Sequence, residues 1–189
     1  MFEFKNSFAK FEQIQSKIVI DNECPHRPTI SIVIPTYRRP SLLIEAVRSA
    51  LNQSTNSHYE VVVVDNEQDI KWSTQVDELL RELNSSKLRL FRNHENLGMF
   101  GNWNRCLELA RGEWVSILND DDLLAPDFLA NVLRLIQLHP DAKLLQTGFE
   151  SFSFDAETAL RNLAINSIKE REGYFTFVQL SLGNPRAGC

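Results

Sequence analysis

The protein has 189 residues, enough for one substantial core and too few for two comfortable domains. Its net charge of −5 does not suggest nucleic acid as a partner, and its apolar and charged fractions of 43% and 24% are those of a globular protein. Three scattered cysteines argue against a disulfide framework, and the sequence has no membrane-spanning apolar run and no signal-peptide pattern, so we expect a cytoplasmic location.

Residues 1 to 28 are predicted to be an N-terminal extension. Phe4, Phe8 and Phe11 recur at spacings of four and three, which favours a short amphipathic helix. Such a helix would either cover part of the domain or serve as an interaction arm, and the pattern leaves both possibilities open.

Two kinds of segment alternate from residue 29 to residue 147. Short runs rich in β-branched residues predict strands buried on both faces, and runs with apolar residues on one side predict helices. The predicted strands are Thr29–Ile34, Tyr59–Val64, Leu88–Phe91, Trp114–Leu118 and Ala142–Thr147. The predicted helices contain Leu42–Leu51, Val76–Leu83, a segment ending near Ala110, and Pro126–His139. This alternation predicts an α/β fold, with a mostly parallel sheet flanked by helices.

Polar residues follow four of the predicted strands at their carboxyl ends. They are Pro35–Thr36, Asp65–Asn66, Asn93 and Asp120–Asp122. Parallel strands end at one edge of a sheet, and open parallel sheets bind ligands beyond that edge. An edge that gathers carboxylates, amides and the nearby Arg38 and Arg39 is suited to a metal-bound nucleotide that contains phosphate.

The three consecutive carboxylates of Asp120–Asp122 are the strongest single signal. Carboxylates this close repel each other, and a cation or a set of donors must offset that cost. Oxygen ligands at a strand end suit a hard divalent metal. A solvated acidic turn that caps the next helix is the alternative, and the other strand-end residues favour the functional interpretation.

Four segments resemble family 2 glycosyltransferases in their order and spacing. They are Ser31–Pro40, Val62–Asn66, Asn96–Gly98 and Leu118–Asp122, and the resemblance covers roughly residues 29 to 150. It implies the GT-A fold and transfer of a sugar from a nucleotide-sugar, usually a UDP-sugar, to an acceptor hydroxyl with inversion. It also implies Mn²⁺ or Mg²⁺ as cofactor, a saccharide or lipid-linked acceptor from polysaccharide biosynthesis, and a place in the cytoplasm that allows peripheral association with the inner face of the membrane.

The resemblance assigns the base-binding part of the site. Pro35, Thr36 and Tyr37 match the loop that lies against the base and ribose, and Arg38 stands where the family more usually has Asn. Asp65 matches the acid that accepts a hydrogen bond from the uracil ring N–H. This acceptor favours uracil or thymine over cytosine, which has no such donor.

The resemblance also assigns a sugar-diphosphate segment, in which Gly98, Asn102 and Arg105 match the family pattern. Glycines at Gly98 and Gly101 are equally expected at the start of any helix, and a lone pair of glycines is weak evidence for a phosphate site.

The acidic run matches the metal-binding DXD motif, with Asn119 in place of its usual first Asp. The resemblance therefore implies that Asp121 and Asp122 bind the metal. It implies contact between Asp120 and the ribose or a metal-bound water.

Residues 29–150 are thus expected to form the nucleotide-sugar-binding core, and residues 151–189 the incomplete beginning of an acceptor-side region. The general base of the family lies downstream of the DXD run, so no catalytic base is assigned. The main alternative is a donor-binding or assembly module without its own transferase activity. A nucleotidyltransferase is disfavoured, because the segment Pro35–Pro40 lacks the glycines of a phosphate-binding loop. The oligomeric state is left open.

Overall fold

A computed structural model of the chain describes residues 8–22, 26–148 and 179–180. Its centre is a five-stranded sheet in the order β1-β4-β3-β2-β5. The strands are β1 (Ser16–Asp21), β2 (Ile30–Thr36), β3 (Tyr59–Asp65), β4 (Leu88–Asn93) and β5 (Trp114–Ile117). The helices are α1 (Pro40–Leu51), α2 (Ile70–Glu82), α3 (Gly98–Leu109) and α4 (Phe128–Leu138). Strands β2 to β5 pair parallel with one another, which confirms the predicted mostly parallel sheet. None of the helices within these ranges is both long and apolar enough to cross a bilayer.

The two central strands supply side chains to two separate apolar cores. Every residue of β2 and β3 is buried. One core contains Ile32, Ile34, Val61 and Val63 with apolar residues of α1, α2 and α4. The other contains Val33, Val62 and Val64 with Phe91 and Cys106. Successive residues of a strand face opposite sides, so the continuous apolar runs fit a sheet that is covered on both faces.

The parallel strands bring their carboxyl ends to one edge of the sheet. The register places Thr36 beside Asp65 and Asp65 beside Arg92. Strand β5 ends earlier, at Ile117, and the chain continues from it into the acidic run that contains Asp120. Three of the four predicted strand-end groups therefore meet here, and Asn93 at the end of β4 completes the set.

The N-terminal segment differs from the helix favoured by its phenylalanine spacing. A single 3₁₀ turn covers Ala9–Phe11, and β1 then pairs antiparallel with β4 at the edge of the sheet. Residues Ile18, Val19 and Ile20 are β-branched, which favours a strand, and pairing with them satisfies the backbone of β4. Phe4 lies outside the described residues. Part of the predicted extension is therefore built into the sheet.

The structure also differs from the prediction at the last predicted strand. Only Leu144–Leu145 of the predicted strand Ala142–Thr147 is extended, as β6, and it pairs antiparallel with β7 (Gln179–Leu180) in a separate two-stranded sheet. The rest of the predicted acceptor-side region, residues 151–178 and 181–189, lies outside the described residues. The five-stranded sheet is completed by β1 and not by a strand after α4.

A buried ion pair lies within the sheet near the beginning of β3. Glu60 is fully buried, and its Oε2 accepts a hydrogen bond from Arg89 Nη1 at 3.0 Å. Its Oε1 accepts from the Ser31 hydroxyl at 2.6 Å and from the Arg111 backbone N–H at 2.8 Å. These three contacts tie together β2, β3, β4 and the loop before β5, so the pair fixes the strands whose far ends form the candidate site.

Candidate functional site

The candidate site is assembled where β2, β3 and the acidic run meet. The Thr36 hydroxyl donates a hydrogen bond to Asp120 Oδ2 at 2.8 Å, although the residues are 84 positions apart in the chain. Thr36 is also the register neighbour of Asp65, the last residue of β3. Thr36 therefore links the two acids that the sequence assigned to the same ligand.

Asp65 is an almost fully buried acid with a partner on each oxygen. It is 1% exposed, its Oδ1 accepts from the Glu67 backbone N–H at 3.0 Å, and its Oδ2 accepts from Arg92 Nε at 3.0 Å. Burial raises the pKa of Asp65 to about 6, and the positive charge of Arg92 opposes that rise. The carboxylate is thus ionised at neutral pH and keeps acceptor capacity toward an N–H group.

Arg92 holds Asp65 in place and was not predicted as a site residue. The same guanidinium donates to Asp77 Oδ1 at 2.6 Å and to the Ser73 carbonyl at 3.1 Å. It therefore joins the end of β4 to α2 as well as to Asp65. A charged residue directly after an apolar strand was the signal in the sequence, because a partly buried arginine needs an acidic partner.

A network of amide side chains lies behind the acids. Asn93 Nδ2 donates to Asn66 Oδ1 at 3.0 Å and to Asn102 Oδ1 at 2.8 Å, and Asn102 Nδ2 donates to the Val64 carbonyl at 2.9 Å. The predicted diphosphate residue Asn102 is buried in this network. Its amide accordingly connects α3 to the end of β3, and its predicted ligand contact stays a prediction.

The start of α3 is fixed by the same network. Asn66 Nδ2 donates to Asn96 Oδ1 at 2.8 Å, and Asn96 Oδ1 also accepts from the Gly98 backbone N–H at 2.8 Å. Gly98 has a φ of +70°, a conformation that suits glycine and is strained for other residues. The loop thereby places the N-terminus of α3, where orphan N–H groups favour anions, at the edge that carries the acids.

The loop after β2 contains the residues assigned to the base and ribose. Pro35 is buried within β2, and Tyr37 is 40% exposed. Arg38 has a φ of +57°, and its guanidinium pairs with Glu67 and lies 5.0 Å from the centre of the Tyr37 ring. A left-handed arginine costs roughly 1 kcal/mol. The ion pair to Glu67, a buried residue that the sequence analysis missed, ties this loop to the one after β3.

The acidic run divides into three different environments. Asp120 is 7% exposed, and burial raises its pKa, while Thr36 and Arg39 act in the opposite direction. Asp121 is half exposed, and Arg39 Nη1 donates to its Oδ2 at 2.9 Å. Asp122 is exposed, and its Oδ2 accepts from Asn119 Nδ2 at 2.9 Å.

The donor set suits a divalent metal only in part. Asp120 Oδ1 and Asp121 Oδ2 both lie within 3.4 Å of Arg39 Nη1, so both carboxylates already face one cationic group. Carboxylate oxygens are the ligands that Mg²⁺ and Mn²⁺ prefer. In the described part of the chain, however, no group of three or more His, Cys, Asp or Glu residues is arranged to hold a metal. Asp120 and Asp121 share Arg39 as a partner, whereas Asp122 accepts from Asn119, and the predicted metal ligation by Asp121 and Asp122 stays a prediction.

Arg105 makes contacts different from those its predicted role suggests. It is 8% exposed and donates to the carbonyls of Phe11 and Ile14 at 3.0 and 2.6 Å and to Ser16 Oγ at 2.9 Å. The Ser16 hydroxyl in turn donates to Asn93 Oδ1 at 2.6 Å. Arg105 thus anchors the N-terminal segment to the amide network, and its role beside a diphosphate stays a prediction.

Comparison with protein families gives a match to glycosyl transferase family 2 over residues 31–185. An uncharacterized protein, y4gI, from Sinorhizobium fredii is 35% identical over 123 residues, which are 64% of this chain and 13% of that protein. The GalNAc(5)-diNAcBac-PP-undecaprenol beta-1,3-glucosyltransferase of Campylobacter jejuni is 32% identical over 107 residues, 57% of this chain and 34% of that enzyme. The chain therefore spans well under half the length of these relatives.

Solved structures share the fold. Staphylococcus aureus TarS in complex with UDP has a TM-score of 0.59 at 22% identity, covering 67% of this chain and 37% of that one. The mannosyltransferase PcManGT from Pyrobaculum calidifontis, in complex with GDP-Man and Mn²⁺, has a TM-score of 0.57 at 23% identity, covering 82% and 43%. These likenesses confirm the predicted GT-A fold. Because the family match covers most of the chain, the protein belongs to glycosyl transferase family 2.

Proposed function

We propose that this protein binds a nucleotide-sugar at the carboxyl edge of its sheet and transfers the sugar, with inversion, to an acceptor hydroxyl. The observation that carries the proposal is the position of Thr36, which neighbours Asp65 in the sheet and donates to Asp120. One ligand about the length of a nucleoside diphosphate would contact the ends of β2 and β3 and the acidic run together. The family match supports the reaction class.

Asp65 is proposed to read the base. Its carboxylate is held by Arg92 and by a backbone N–H, so it is oriented before any ligand arrives. An acceptor of this kind pairs with the ring N–H of uracil and has no equivalent partner on cytosine. The TarS complexes contain UDP and UDP-GlcNAc, whereas the PcManGT complex contains GDP-Man. A test of base preference should therefore include a guanine nucleotide as well as UDP and CDP.

Asp121 is proposed as the principal metal ligand, with Asp120 beside it and Asp122 as a further ligand or support. The Mn²⁺ in the PcManGT complex supports a divalent metal at this fold. Mn²⁺ or Mg²⁺ bound there would act as a Lewis acid that neutralises charge on the departing diphosphate. The N-terminus of α3 and the arginines of the loop after β2 would add further stabilisation of that charge.

The proposed reaction is an in-line displacement at the anomeric carbon. The acceptor oxygen forms a bond to that carbon from one side as the bond to the diphosphate oxygen breaks on the other. The nucleoside diphosphate leaves with the electron pair, and the acceptor proton passes to a general base. No residue is assigned as that base, and Asp65, Asp120 and Asp121 are each engaged with an arginine.

The proposed acceptor is a saccharide, free or linked to a lipid carrier. The Campylobacter relative is named for a saccharide on PP-undecaprenol, which supports a lipid-linked acceptor. A carrier of that kind would bring the protein to the inner face of the membrane as a peripheral partner from the cytoplasm.

The donor site is tested by calorimetry with UDP, CDP and GDP, each with and without Mn²⁺. We expect UDP to bind more tightly than CDP, and Mn²⁺ to strengthen the binding of UDP. Asp121→Ala should abolish the metal-dependent part and leave the folded structure intact, because Asp121 is half exposed. Glu45→Ala, which removes another partly exposed acid of an arginine pair, is the matched control and should bind UDP as the unmodified protein does. Metal-dependent binding that persists in Asp121→Ala would overturn the metal assignment.

Transfer is tested separately from donor binding. Release of UDP from a UDP-sugar is measured with and without added saccharide acceptors, alongside the mass of the product. Donor binding with no sugar transfer to any acceptor would favour the donor-binding module over the transferase.

A further inference from the structure

One cationic side chain occupies the position where a metal would meet the acidic run. Arg39 Nη1 lies 2.9 Å from Asp121 Oδ2 and 3.4 Å from Asp120 Oδ1. A single N–H-bearing nitrogen is thus shared by the two carboxylates that are the best placed metal ligands. A divalent ion in contact with both oxygens would take over the space and the charge that this nitrogen now supplies.

The side chain of Arg39 is able to leave without a change in the backbone. Its carbonyl accepts the first helical hydrogen bond of α1, from the Leu43 N–H at 2.9 Å, and the next residue, Pro40, is buried at the start of the helix. The Arg39 side chain itself is 52% exposed. An ion pair at this exposure is weak, so a bound divalent ion would outcompete it.

We propose that Arg39 is a built-in counter-cation that exchanges with the metal. Without metal it neutralises Asp120 and Asp121 and holds the two carboxylates together. When a metal and a nucleotide arrive, the guanidinium turns away from the carboxylates and contacts the diphosphate. This inference rests on the proposed function, because it concerns the same site and the same ligands.

The second half of the exchange follows from distance and charge. Arg39 already reaches both carboxylates, and a diphosphate bound to a metal on those carboxylates would lie within the reach of the same side chain. Guanidinium groups bind phosphate oxygens through two parallel N–H donors. Arg39 would therefore oppose metal binding in the free protein and favour diphosphate binding in the loaded one, which makes metal and nucleotide bind cooperatively.

The test compares Arg39→Gln and Arg39→Lys with the unmodified protein. Binding of Mn²⁺ alone is followed by electron paramagnetic resonance, and UDP binding at saturating Mn²⁺ by calorimetry. Arg39→Gln should bind Mn²⁺ alone about three- to tenfold more tightly, because the competing charge is gone. It should bind UDP about tenfold more weakly at saturating Mn²⁺. Arg39→Lys should keep Mn²⁺ affinity close to that of the unmodified protein, because it keeps the charge.

Arg48→Gln is the matched control. Arg48 lies on the adjacent helix, pairs with Glu45 at 3.0 Å and has a side chain that is 54% exposed. The Arg48→Gln variant therefore loses the same positive charge as Arg39→Gln, but at a position away from the acidic run. It should leave both affinities unchanged. Far-UV circular dichroism and thermal unfolding establish that every variant is folded.

The outcomes separate the inference from the function beneath it. If the unmodified protein binds Mn²⁺ and UDP but Arg39→Gln binds Mn²⁺ no more tightly, or binds UDP as well as before, the exchange is overturned and the donor site stands. If the unmodified protein binds neither ligand, the proposed function fails and the Arg39 exchange fails with it. Opposite shifts of the two affinities in Arg39→Gln, with Arg39→Lys retaining Mn²⁺ affinity, would support the exchange.

Discussion

Asp65 and Arg92 form a hydrogen-bonded ion pair, with Nε 3.0 Å from Oδ2, across adjacent positions of β3 and β4. The same guanidinium reaches Asp77 on α2, so one arginine connects two strands and a helix. Its positive charge does not fully compensate the burial of Asp65, since the pKa of that carboxyl is raised to about 6. This balance makes both the stability of the fold and its proposed ligand binding depend on pH.

The free energy of unfolding is expected to contain a term from Asp65 that decreases from about pH 4 to about pH 6. In that window the folded protein keeps the Asp65 proton, whereas the unfolded chain, with a carboxyl pKa of about 3.9, has released it. A rise in pH therefore favours unfolding, and the difference between a pKa of about 6 in the folded protein and about 3.9 in the unfolded chain corresponds to about 3 kcal/mol. The contribution is complete below pH 4 and lost above pH 6.

Urea unfolding of the unmodified protein and of Asp65→Asn between pH 4 and pH 7 measures this term. Other carboxylates titrate in both proteins, so the quantity of interest is the difference in unfolding free energy between them. That difference should change by up to about 3 kcal/mol across the window, to the disadvantage of the unmodified protein at higher pH. If the difference in unfolding free energy between the two proteins stays constant from pH 4 to pH 7, the pKa of Asp65 is not raised.

Affinity for a UDP-sugar is expected to decrease as the pH falls below about 6. Protonation of Asp65 removes the acceptor proposed for the uracil N–H, so affinity should fall about tenfold per pH unit below its pKa of about 6. A UDP-sugar is the right titrant, because its diphosphate is esterified at both ends and does not titrate in this window. Calorimetry with Asp65→Asn should give weak binding with little pH dependence, and an equally steep dependence in that variant would assign the effect to another group.

Loss of the buried acid in the Glu60–Arg89 pair should strongly destabilise the fold. Glu60→Gln would leave the buried Arg89 guanidinium without its fully buried carboxylate partner, at a cost of about 3 kcal/mol. The same substitution at the exposed pair, Glu45→Gln, should change the unfolding free energy by less than about 1 kcal/mol. Urea unfolding at pH 7 measures both, and similar losses for the two variants would contradict the importance of the buried pair.

Asn102 should contribute to stability through its buried amide. Asn102→Ala would remove two buried hydrogen bonds, the one from Asn93 Nδ2 and the one to the Val64 carbonyl, at a cost of about 2 kcal/mol. Asn131→Ala removes a helical asparagine that donates to Asp127 at 3.1 Å and is the control, with an expected loss of less than about 1 kcal/mol. A thermal unfolding midpoint for Asn102→Ala equal to that of the control would show that the amide network contributes little.

The order of the central elements could be predicted because it depends on local patterns. The apolar runs at β2 and β3 have no polar interruption apart from Ser31 and Glu60, so burial on both faces was readable from the residues themselves. The positions of Thr36, Asp65 and Asp120 at one edge followed from the geometry of parallel strands. The contact between Thr36 and Asp120 agrees with that prediction.

Features that depend on long-range pairing were not predicted. The phenylalanine spacing favoured a helix near the N-terminus, but the open edge of β4 is satisfied by β1, and nothing local to Ser16–Asp21 identifies that partner. Arg39 and Glu67 are likewise polar residues whose importance comes from carboxylates or guanidinium groups distant in the chain. A charged residue beside an apolar strand indicates that an oppositely charged partner exists, but the sequence does not indicate which residue that partner is.

Strand β1 has a practical consequence for anyone preparing a shorter form of this protein. The family match begins at residue 31, and trimming to that point would delete the strand. The backbone of β4 would then offer free hydrogen-bonding groups to another molecule, and the Arg105 guanidinium would lose three oxygen partners at once. A shortened form of this kind should associate with itself, so a shorter form should keep Phe11 and the residues of β1 that follow it.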